Sequence, residues 1–462
     1  MKKTPILFAA LGSIALFLPL SIMMGLTSHN PPIDPVNGSS NNFAKVTAIF
    51  QNKCVDCHSP GMTRMPIYAD LPIAKQLMAD DIAKASARLS ITKSLYSGES
   101  SFTPLMLARI EGALRNDSMP PALYLSMHWT GRLNDEEKST ILAWIGEERS
   151  KLAWSEDAAP TFKGEPIHPL PLHLSQNLQK VELGRQLFFD TRLSGDNTLS
   201  CASCHSLEKG GTDQAKVATG IRGQQGPINS PSVYNAMYNL AQFWDGRAKD
   251  LVEQAAGPVA NPGEMGSQWE QVVELLNSID SYRTTFAQLY PTEGITKTTV
   301  TQAIATFEES LVTSNSRFDQ YLRGNVDILT SNEKKGYALF KDNCASCHFG
   351  PSLGGQSYEL MGRKQNYFAQ RGGALTEADN GRFNVTKQEQ DRHHFKVPNL
   401  RNVELTYPYF HDGSVSSLEE AVVIMARVQA GKTLTQDEKQ DLVAFLKTLT
   451  GEYQGKNLKK LD

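Results

Sequence analysis

The sequence lacks an excess of charge of either sign, lacks stretches of alternating apolar and polar residues, and has no cysteine outside three short motifs. Its 46 Lys and Arg residues nearly balance its 49 Asp and Glu residues, for a net charge of −3. Such a balance gives no strongly basic surface, so nucleic acid is not expected as a partner. Because alternation is the pattern of half-buried strands, its scarcity favours a mainly α fold.

The six cysteines occur in pairs, each with the spacing C-x-x-C and each followed directly by histidine. This is the attachment signature of c-type haem, in which both thiols bond to the porphyrin and the histidine binds the iron. One motif alone could be a redox dithiol or half of a zinc site, but three with no cysteine left over predict three covalently bound haem c groups. The predicted haem-binding residues are Cys54, Cys57 and His58, then Cys201, Cys204 and His205, then Cys344, Cys347 and His348.

The start of the chain has the pattern of a membrane anchor. Lys2 and Lys3 precede an uncharged apolar stretch, residues 6–26, whose length is close to the ~20 residues of a membrane-spanning helix. A cleaved signal peptide is the alternative, although its apolar region is usually shorter, about 7–15 residues. Because the lysines favour a cytoplasmic N-terminus, we expect a single anchor in the bacterial inner membrane, with the haem domains in the periplasm.

The domain organisation follows from two loop-like segments and from weak internal repeats. The helices predicted at residues 134–145 and 435–446 share a cap residue, acidic residues in the first turn and apolar residues at helical spacing. A short helix is predicted before each motif, and the third begins at TSNE (330–333), which has the form of a capping box. Together these helices resemble the cytochrome c fold. The predicted fold class is mainly α, with three cytochrome c-like haem domains after an N-terminal transmembrane helix. The predicted segments are an anchor at 1–28, a tether at 29–42, a haem domain at 43–154, a linker at 155–172, and further haem domains at 173–325 and 326–462.

The sixth ligand of each iron separates electron carriers from catalysts, because methionine closes the iron to substrate. For the first haem the candidate is Met119, in the segment NDSMPP at 116–121, and its rivals are Met106, Met127 and His128. For the third haem, Met425 and His411 are both candidates, and their spacing alone does not choose between them. The second haem differs because no histidine lies between His205 and His348, and the only methionines there are Met237 and Met265. An open or water-bound iron is therefore predicted at the second haem.

Several motifs in one order carry a family resemblance from about residue 183 to residue 449. They include GPINSPSVYN at 226–235, QFWDGRA at 242–248, EQAAGP at 253–258, NPGEM at 261–265, FKVPNLRN at 395–402 and LTYPYFHDG at 405–413. This part of the chain resembles the bacterial di-haem cytochrome c peroxidase family. With its anchor and extra haem domain, the whole chain resembles the membrane-anchored three-haem members, which look like quinol peroxidases.

The resemblance implies roles for individual residues. The second haem would be peroxidatic, and the third would transfer electrons with Met425 as its axial ligand. Glu264 matches the family's distal acid, Gln254 its distal amide, and Trp244 the tryptophan between the two haems. A calcium site between the domains would use Asn229, Thr406 and Pro408.

One position departs from many two-haem members, which carry a distal histidine that must leave before turnover. This chain has Ile221 there, in agreement with the missing histidine noted above.

The predicted function is reduction of hydrogen peroxide to water, with electrons from quinol or a small cytochrome. The alternatives are a membrane-tethered relay without peroxidase activity, and a peroxide sensor or an enzyme that modifies another protein. The resemblance argues against the known modifying type, because those enzymes have a tyrosine where this chain has Met425.

Overall fold

The structure, a computed structural model, describes residues 41–59, 71–127 and 129–460. The chain divides into two compact units, Met1–Lys151 and Leu152–Asp462. Both are built mainly of helices joined by long loops. The further division of the second unit into two haem domains stays a prediction.

The first unit packs its helices around a core centred on Trp144, which is fully buried against Phe50 and Phe102. The helix that precedes the first haem motif packs against the last helix of the unit. The described helices are α1 (Asn41–Lys53), α2 (Val55–His58), α3 (Pro72–Arg88), α4 (Lys93–Ser97), α5 (Pro104–Arg115), α6 (Ala122–Met127) and α7 (Asp135–Ser150).

The second unit contains two hydrophobic cores, one around Phe307 and one around Phe445. Its helices are α8 (Leu178–Phe188), α9 (Cys201–Cys204), α10 (Leu251–Ala260), α11 (Trp269–Ser278), α12 (Asp280–Leu289), α13 (Lys297–Ser310), α14 (Arg317–Leu322), α15 (Ser331–Asn343), α16 (Tyr367–Arg371), α17 (Phe383–Thr386), α18 (Leu418–Met425) and α19 (Gln436–Lys447). Its strands form two antiparallel pairs, β1 (Tyr358–Leu360) with β2 (His394–Lys396), and β3 (Glu452–Tyr453) with β4 (Lys456–Asn457).

Two helix pairs of the second unit cross at a glycine. A Cβ added to Gly184 of α8 would lie 1.9 Å from the carbonyl oxygen of Ala303 in α13, and one added to Gly336 of α15 would lie 1.9 Å from that of Asp441 in α19. Only glycine permits backbones to approach so closely. Because α15 ends at Asn343, directly before Cys344, its crossing with α19 helps to place the third haem motif.

The capping signals in the sequence are confirmed. Thr330 accepts a hydrogen bond from the backbone N–H of Glu333, and the Glu333 carboxylate accepts one from the backbone N–H of Thr330. Reciprocal bonds of this kind also begin the two closing helices, at Asn134 for α7 and at Thr435 for α19. Such bonds satisfy backbone donors that a helix start leaves free, so these three starts could be assigned from sequence.

The predicted fold class is corrected in one respect, the N-terminal transmembrane helix. Residues 1–28 lie outside the described residues, and among the helices that are described none is both long and apolar enough to cross a bilayer. The longest, α3, has 17 residues, with charged side chains such as Lys75, Asp80 and Lys84 along it. The described part of the chain is therefore mainly α with cytochrome c-like domains, and none of its helices is the transmembrane helix that the predicted single anchor in the inner membrane requires.

Candidate functional site: haem-binding motifs and a distal acid

Each of the three motif histidines is held in the same way. Nδ1 donates to a backbone carbonyl oxygen, that of Leu89 at 2.7 Å from His58, that of Gly211 at 3.3 Å from His205, and that of Leu353 at 2.9 Å from His348. These bonds fix the tautomer in which Nε2 is unprotonated and can bind a metal. The arrangement therefore fits the proximal ligand of a haem iron at all three places.

The motif of the second haem begins at a short, capped helix. Ser200 and Ser203 form reciprocal hydrogen bonds at the start of α9, which carries Cys201 and Cys204. Burial lowers the pKa of His205, so this imidazole is neutral near pH 7 and suited to metal binding. No cysteine in the described ranges forms a disulfide, as covalent attachment of haem requires.

The motif of the third haem opens onto a large cavity. Its walls include Cys344, Cys347 and His348 on one side, and Met425 of α18 with Leu446 of α19 on another. The lining is mostly apolar, with a few polar groups, as expected of a cofactor site. The two thiols, the imidazole and a thioether on this one cavity are the donor set that a methionine-ligated haem c requires.

His411 lines the same cavity, but its ring is already engaged. Nε2 lies 2.8 Å from a carboxylate oxygen of Asp379, and the ring stacks on Phe395 at 4.3 Å. Asp379, His411 and Asp412 could geometrically hold a metal ion, yet Arg371 donates to both carboxylates, at 2.7 and 2.9 Å. A guanidinium thus supplies the positive charge of this cluster, and the His411 ring serves the cluster as a hydrogen-bond donor.

Met425 ends α18, and a single turn of π-helix, Ala426–Ala430, follows it. Turns of this kind are rare and occur often at functional sites. Gln429 anchors the turn by donating to the Leu360 carbonyl oxygen at 2.9 Å and accepting from the backbone N–H of Arg363 at 3.1 Å. The Met425 side chain packs against the cluster formed by Tyr367, Phe368, Phe395 and Val428.

Glu264 lies in the loop after α10, on the side of the second haem motif. Asn261 donates to a Glu264 carboxylate oxygen at 2.9 Å, and the Glu264 backbone oxygen accepts from Ile221 at 2.8 Å. Burial raises the pKa of the Glu264 carboxyl, and nearby Arg247 partly opposes that effect. Burial raises the pKa of the Cys204 thiol in the second haem motif, and the charges of Asp213 and Glu264 add to that effect.

Ile221 is buried beside Glu264 at the position where the sequence departs from many relatives. Its Cδ1 atom packs over Gly266, where an added Cβ would approach within 2.4 Å. An aliphatic side chain offers the iron no ligand atom. The open second haem stays a prediction to which this placement lends support.

Gln254 and Trp244 both lie near a strained residue, Phe243. Gln254 is half-buried on α10, and the Phe243 ring lies against Gly257 one turn later. Phe243 has φ of 67°, a conformation that costs a bulky residue energy and recurs near functional sites. The guanidinium of Arg247 lies 3.5 Å from the centre of the Phe243 ring. Sequence reasoning missed Phe243 and Arg247, although both stand in the motif at 242–248.

Trp244 is hydrogen-bonded to two segments of the second unit that are far apart in the sequence. Its indole N–H donates to the Asn229 carbonyl oxygen at 2.9 Å, and its own carbonyl oxygen accepts from the Lys396 N–H at 2.8 Å. The ring lines the cavity of the third haem motif and packs against the cluster that includes Met425. The structure thus brings Trp244 and Met425 to one cavity.

The three predicted calcium ligands, Asn229, Thr406 and Pro408, also line this cavity. The Asn229 amide nitrogen donates to the Ala215 carbonyl oxygen at 2.9 Å, so Oδ1 is the atom of this side chain that a cation would bind. Amide and backbone carbonyl oxygens are ligands that calcium accepts.

Met119 belongs to the first unit, and its side chain is 41% exposed. Its loop leads to α6, where Tyr124 donates to Asp56, inside the first haem motif, at 3.0 Å. Of its rivals, Met106 packs against the core of the unit, whereas the Met127 side chain and His128 lie outside what the structure describes. Met119 stays the predicted ligand.

The chain matches three protein families along its length. Residues 178–327 match "Di-haem cytochrome c peroxidase", residues 333–450 match "Cytochrome c", and residues 19–147 match "Haem-binding domain". The first two fall within the second unit, and the third coincides closely with the first unit.

Individual relatives agree with these matches. The chain is 45% identical over 420 residues to cytochrome c peroxidase Ccp of Escherichia coli, covering 90% of this chain and 89% of that protein. It is 50% identical over 289 residues to the cytochrome c551 peroxidase of Nitrosomonas europaea, covering 62% of this chain and 85% of that protein. Among solved structures, a MauG-like protein associated with microbial copper homeostasis superposes with a TM-score of 0.53 at 33% identity, covering 64% of this chain and 95% of that one.

Proposed function

This chain belongs to the bacterial di-haem cytochrome c peroxidase family, and we propose that Glu264 is the residue that moves the proton when it reduces hydrogen peroxide. As a member of that family it is a peroxidase, an oxidoreductase with covalently bound haem c. Its substrate is hydrogen peroxide, and cytochromes serve peroxidases of this kind as electron donors. The alternative of a relay without peroxide turnover is set aside.

The observation that carries the proposal is the burial of the Glu264 carboxyl beside the second haem motif. Hydrogen peroxide takes up two electrons and two protons to give two molecules of water. The haem, when bound, supplies the electrons and an iron position for the peroxide. Glu264 accepts the proton of the near oxygen and donates it to the far one, which is general acid–base work. Gln254, on the neighbouring helix, is proposed to orient the peroxide by hydrogen bonding.

Substitution of Glu264 tests this role. We expect Glu264→Gln to keep all its haems and lose about 10²-fold or more of its turnover, the range for general acid–base groups. Glu270→Gln is the matched control, because Glu270 is exposed at the start of α11 and only six residues away in sequence. Steady-state peroxide consumption measures both variants. Full activity in Glu264→Gln would remove this residue from the mechanism.

The first haem, bound by the motif of the first unit, is a further part of the proposal. It is supported by the motif from Cys54 to His58, by the bond from His58 to the Leu89 carbonyl oxygen, and by the match of residues 19–147 to a haem-binding domain. Met119 is its proposed sixth ligand. We propose that electrons enter at this haem from a small cytochrome or from a quinol and continue through the third haem, ligated by Met425, past Trp244. Oxidation of each donor, offered alone with peroxide, identifies the one used.

Calcium is proposed to bind at Asn229, Thr406 and Pro408. Asn229 also accepts the indole N–H of Trp244, so loss of the ion would disturb the tryptophan that we place on the electron path. Chelation with EGTA is expected to lower turnover, and added calcium is expected to restore it.

A further inference from the structure

Lys396 is a buried basic residue that has no role in the proposed reduction of peroxide. It lies at the end of β2 and is only 6% exposed. Within the described ranges no carboxylate pairs with its ammonium group, and no hydrogen bond to that group is formed. Burial lowers the pKa of Lys396 to about 8. An uncompensated charge in such a place destabilises a fold, so buried lysines normally have an anionic partner.

The side chain of Lys396 belongs to the wall of the third haem cavity, together with His348, Met425 and Trp244. Its backbone N–H donates to the Trp244 carbonyl oxygen at 2.8 Å. The cavity thus has, beside the indole, a positive charge held by a strand. An anion inside the cavity would supply the partner that the protein does not.

Glu359, the acidic residue of the paired strand β1, is not the anionic partner of Lys396. Glu359 also lines the cavity, but in the register of β1 and β2 it pairs with Phe395, whereas Lys396 pairs with Tyr358. Adjacent residues of a strand point to opposite faces, so Glu359 and Lys396 point away from each other. Of the other basic side chains on the wall, Arg401 is paired with Asp319 at 2.8 Å, and Arg363 and Lys432 are exposed.

We propose that Lys396 binds a propionate carboxylate of the third haem and so sets the reduction potential of that haem. Haem carries two propionates, and when it fills this cavity one of them is the anion that satisfies the ammonium. The positive charge favours the reduced state, in which the iron has one positive charge fewer. The bond from the Lys396 N–H to Trp244 places this ion pair next to the residue between the haems. The inference rests on the third haem site proposed above.

A redox titration of the haem-loaded full chain tests the pairing. In Lys396→Gln we expect the reduction potential of one haem to fall by at least about 59 mV. For one electron this is a tenfold change in the ratio of reduced to oxidised haem. Lys432→Gln, which removes the same charge from an exposed position on the same wall, should leave every transition in place. Lys396→Arg keeps the charge and should retain the parent potential. Unchanged potentials in Lys396→Gln would overturn the proposal.

Thermal unfolding is a second test, which can be applied even if Lys396→Gln folds poorly. If Lys396 pairs with a propionate, Lys396→Met leaves that carboxylate buried alone and lowers the melting temperature of the haem-loaded protein, while Lys396→Arg preserves it. If the ammonium is buried without a partner, Lys396→Met raises the melting temperature, and the proposal is wrong. Loss of folding in both variants would also contradict it, because the charge would then not be what matters. Peroxide turnover by the parent protein is unaffected by any of these outcomes, so the two proposals fail separately.

Discussion

Glu264 carries a carboxyl group whose pKa burial raises above the ordinary value of 4.5. To accept a proton from peroxide this group must be ionised, so turnover is expected to fall as the pH drops through the raised pKa. The acid limb of kcat/KM should therefore lie above pH 4.5 in the parent and disappear in Glu264→Gln. A pH profile of both proteins measures this, and an identical acid limb in the two would assign it to another group.

Glu308 is a second buried glutamate, and its expected effect is on stability. It is 4% exposed on α13, and its Oε2 atom has no hydrogen-bond partner within the described ranges. Burial raises its pKa from 4.5 to about 8. Because the folded protein holds this proton more tightly than the unfolded chain, the free energy of unfolding should decrease as pH rises from 4.5 to about 8.

Replacement of Glu308 by glutamine removes that ionisation. Denaturant unfolding at pH 5 and pH 9 should show a smaller loss of stability in Glu308→Gln than in the parent. The exposed Glu270→Gln serves as the control and should retain the parent's pH dependence. Equal losses in parent and Glu308→Gln would show that folding does not raise the pKa of this carboxyl.

Some functional residues could be identified from the sequence, and others could not. The haem motifs were recognisable because their spacing is chemical, with two thiols and an imidazole for one cofactor. The tether of His411 to Asp379 was not, because these residues are 32 positions apart and meet only in the folded chain. Lys396 was missed for the same reason, since its burial depends on the pairing of β1 with β2.

At the scale of elements, the crossing of α15 with α19 depends on Gly336. A methyl group there would lie 1.9 Å from the Asp441 carbonyl oxygen, so the helices would have to separate. We expect Gly336→Ala to destabilise the second unit by about 1–3 kcal/mol, the usual range for overpacking. Lys335→Ala, the exposed neighbour on the same helix, should have little effect in the same unfolding experiment. Equal stability of the two variants would mean that the helices do not pack this closely.

Helix starts and helix crossings differ in what the sequence shows of them. The capping box from Thr330 to Glu333 is local, so four residues were enough to place the start of α15. The crossing at Gly336 needs a partner more than a hundred residues away, and a glycine inside a helical pattern does not identify that partner. The π-helical turn after Met425 likewise has no sequence signal, because its Gln429 side chain bonds to Leu360, at the end of β1, and to Arg363, which are 69 and 66 positions away.

At the scale of the whole molecule, the division into two units predicts the number of haems. The second unit, Leu152–Asp462, contains two of the three motifs and includes residues 178–327 and 333–450, which match the di-haem peroxidase and cytochrome c families. Expressed alone, it should take up two haems per chain and still consume peroxide with an artificial reductant, whereas the full chain should take up three. Haem-to-protein ratios measure this. A ratio of two in the full chain would remove the haem from the first unit.

The prediction of an anchor at residues 6–26 rested on length and hydropathy alone. Those residues lie outside the described ranges, and no described helix is long and apolar enough to span a membrane. The family, by contrast, could be recognised, because its motifs occur in one order over more than half of the chain.

Reduction of hydrogen peroxide at the second haem can be followed in a single anaerobic experiment. The purified full chain is reduced with a small cytochrome or with a quinol analogue, peroxide is added, and haem reoxidation and donor loss are followed together. We predict catalytic loss of both peroxide and donor, with two electrons consumed for each peroxide. Haems that stay reduced after peroxide is added would show that this chain does not reduce hydrogen peroxide, and the proposed role of Glu264 would then be wrong as well.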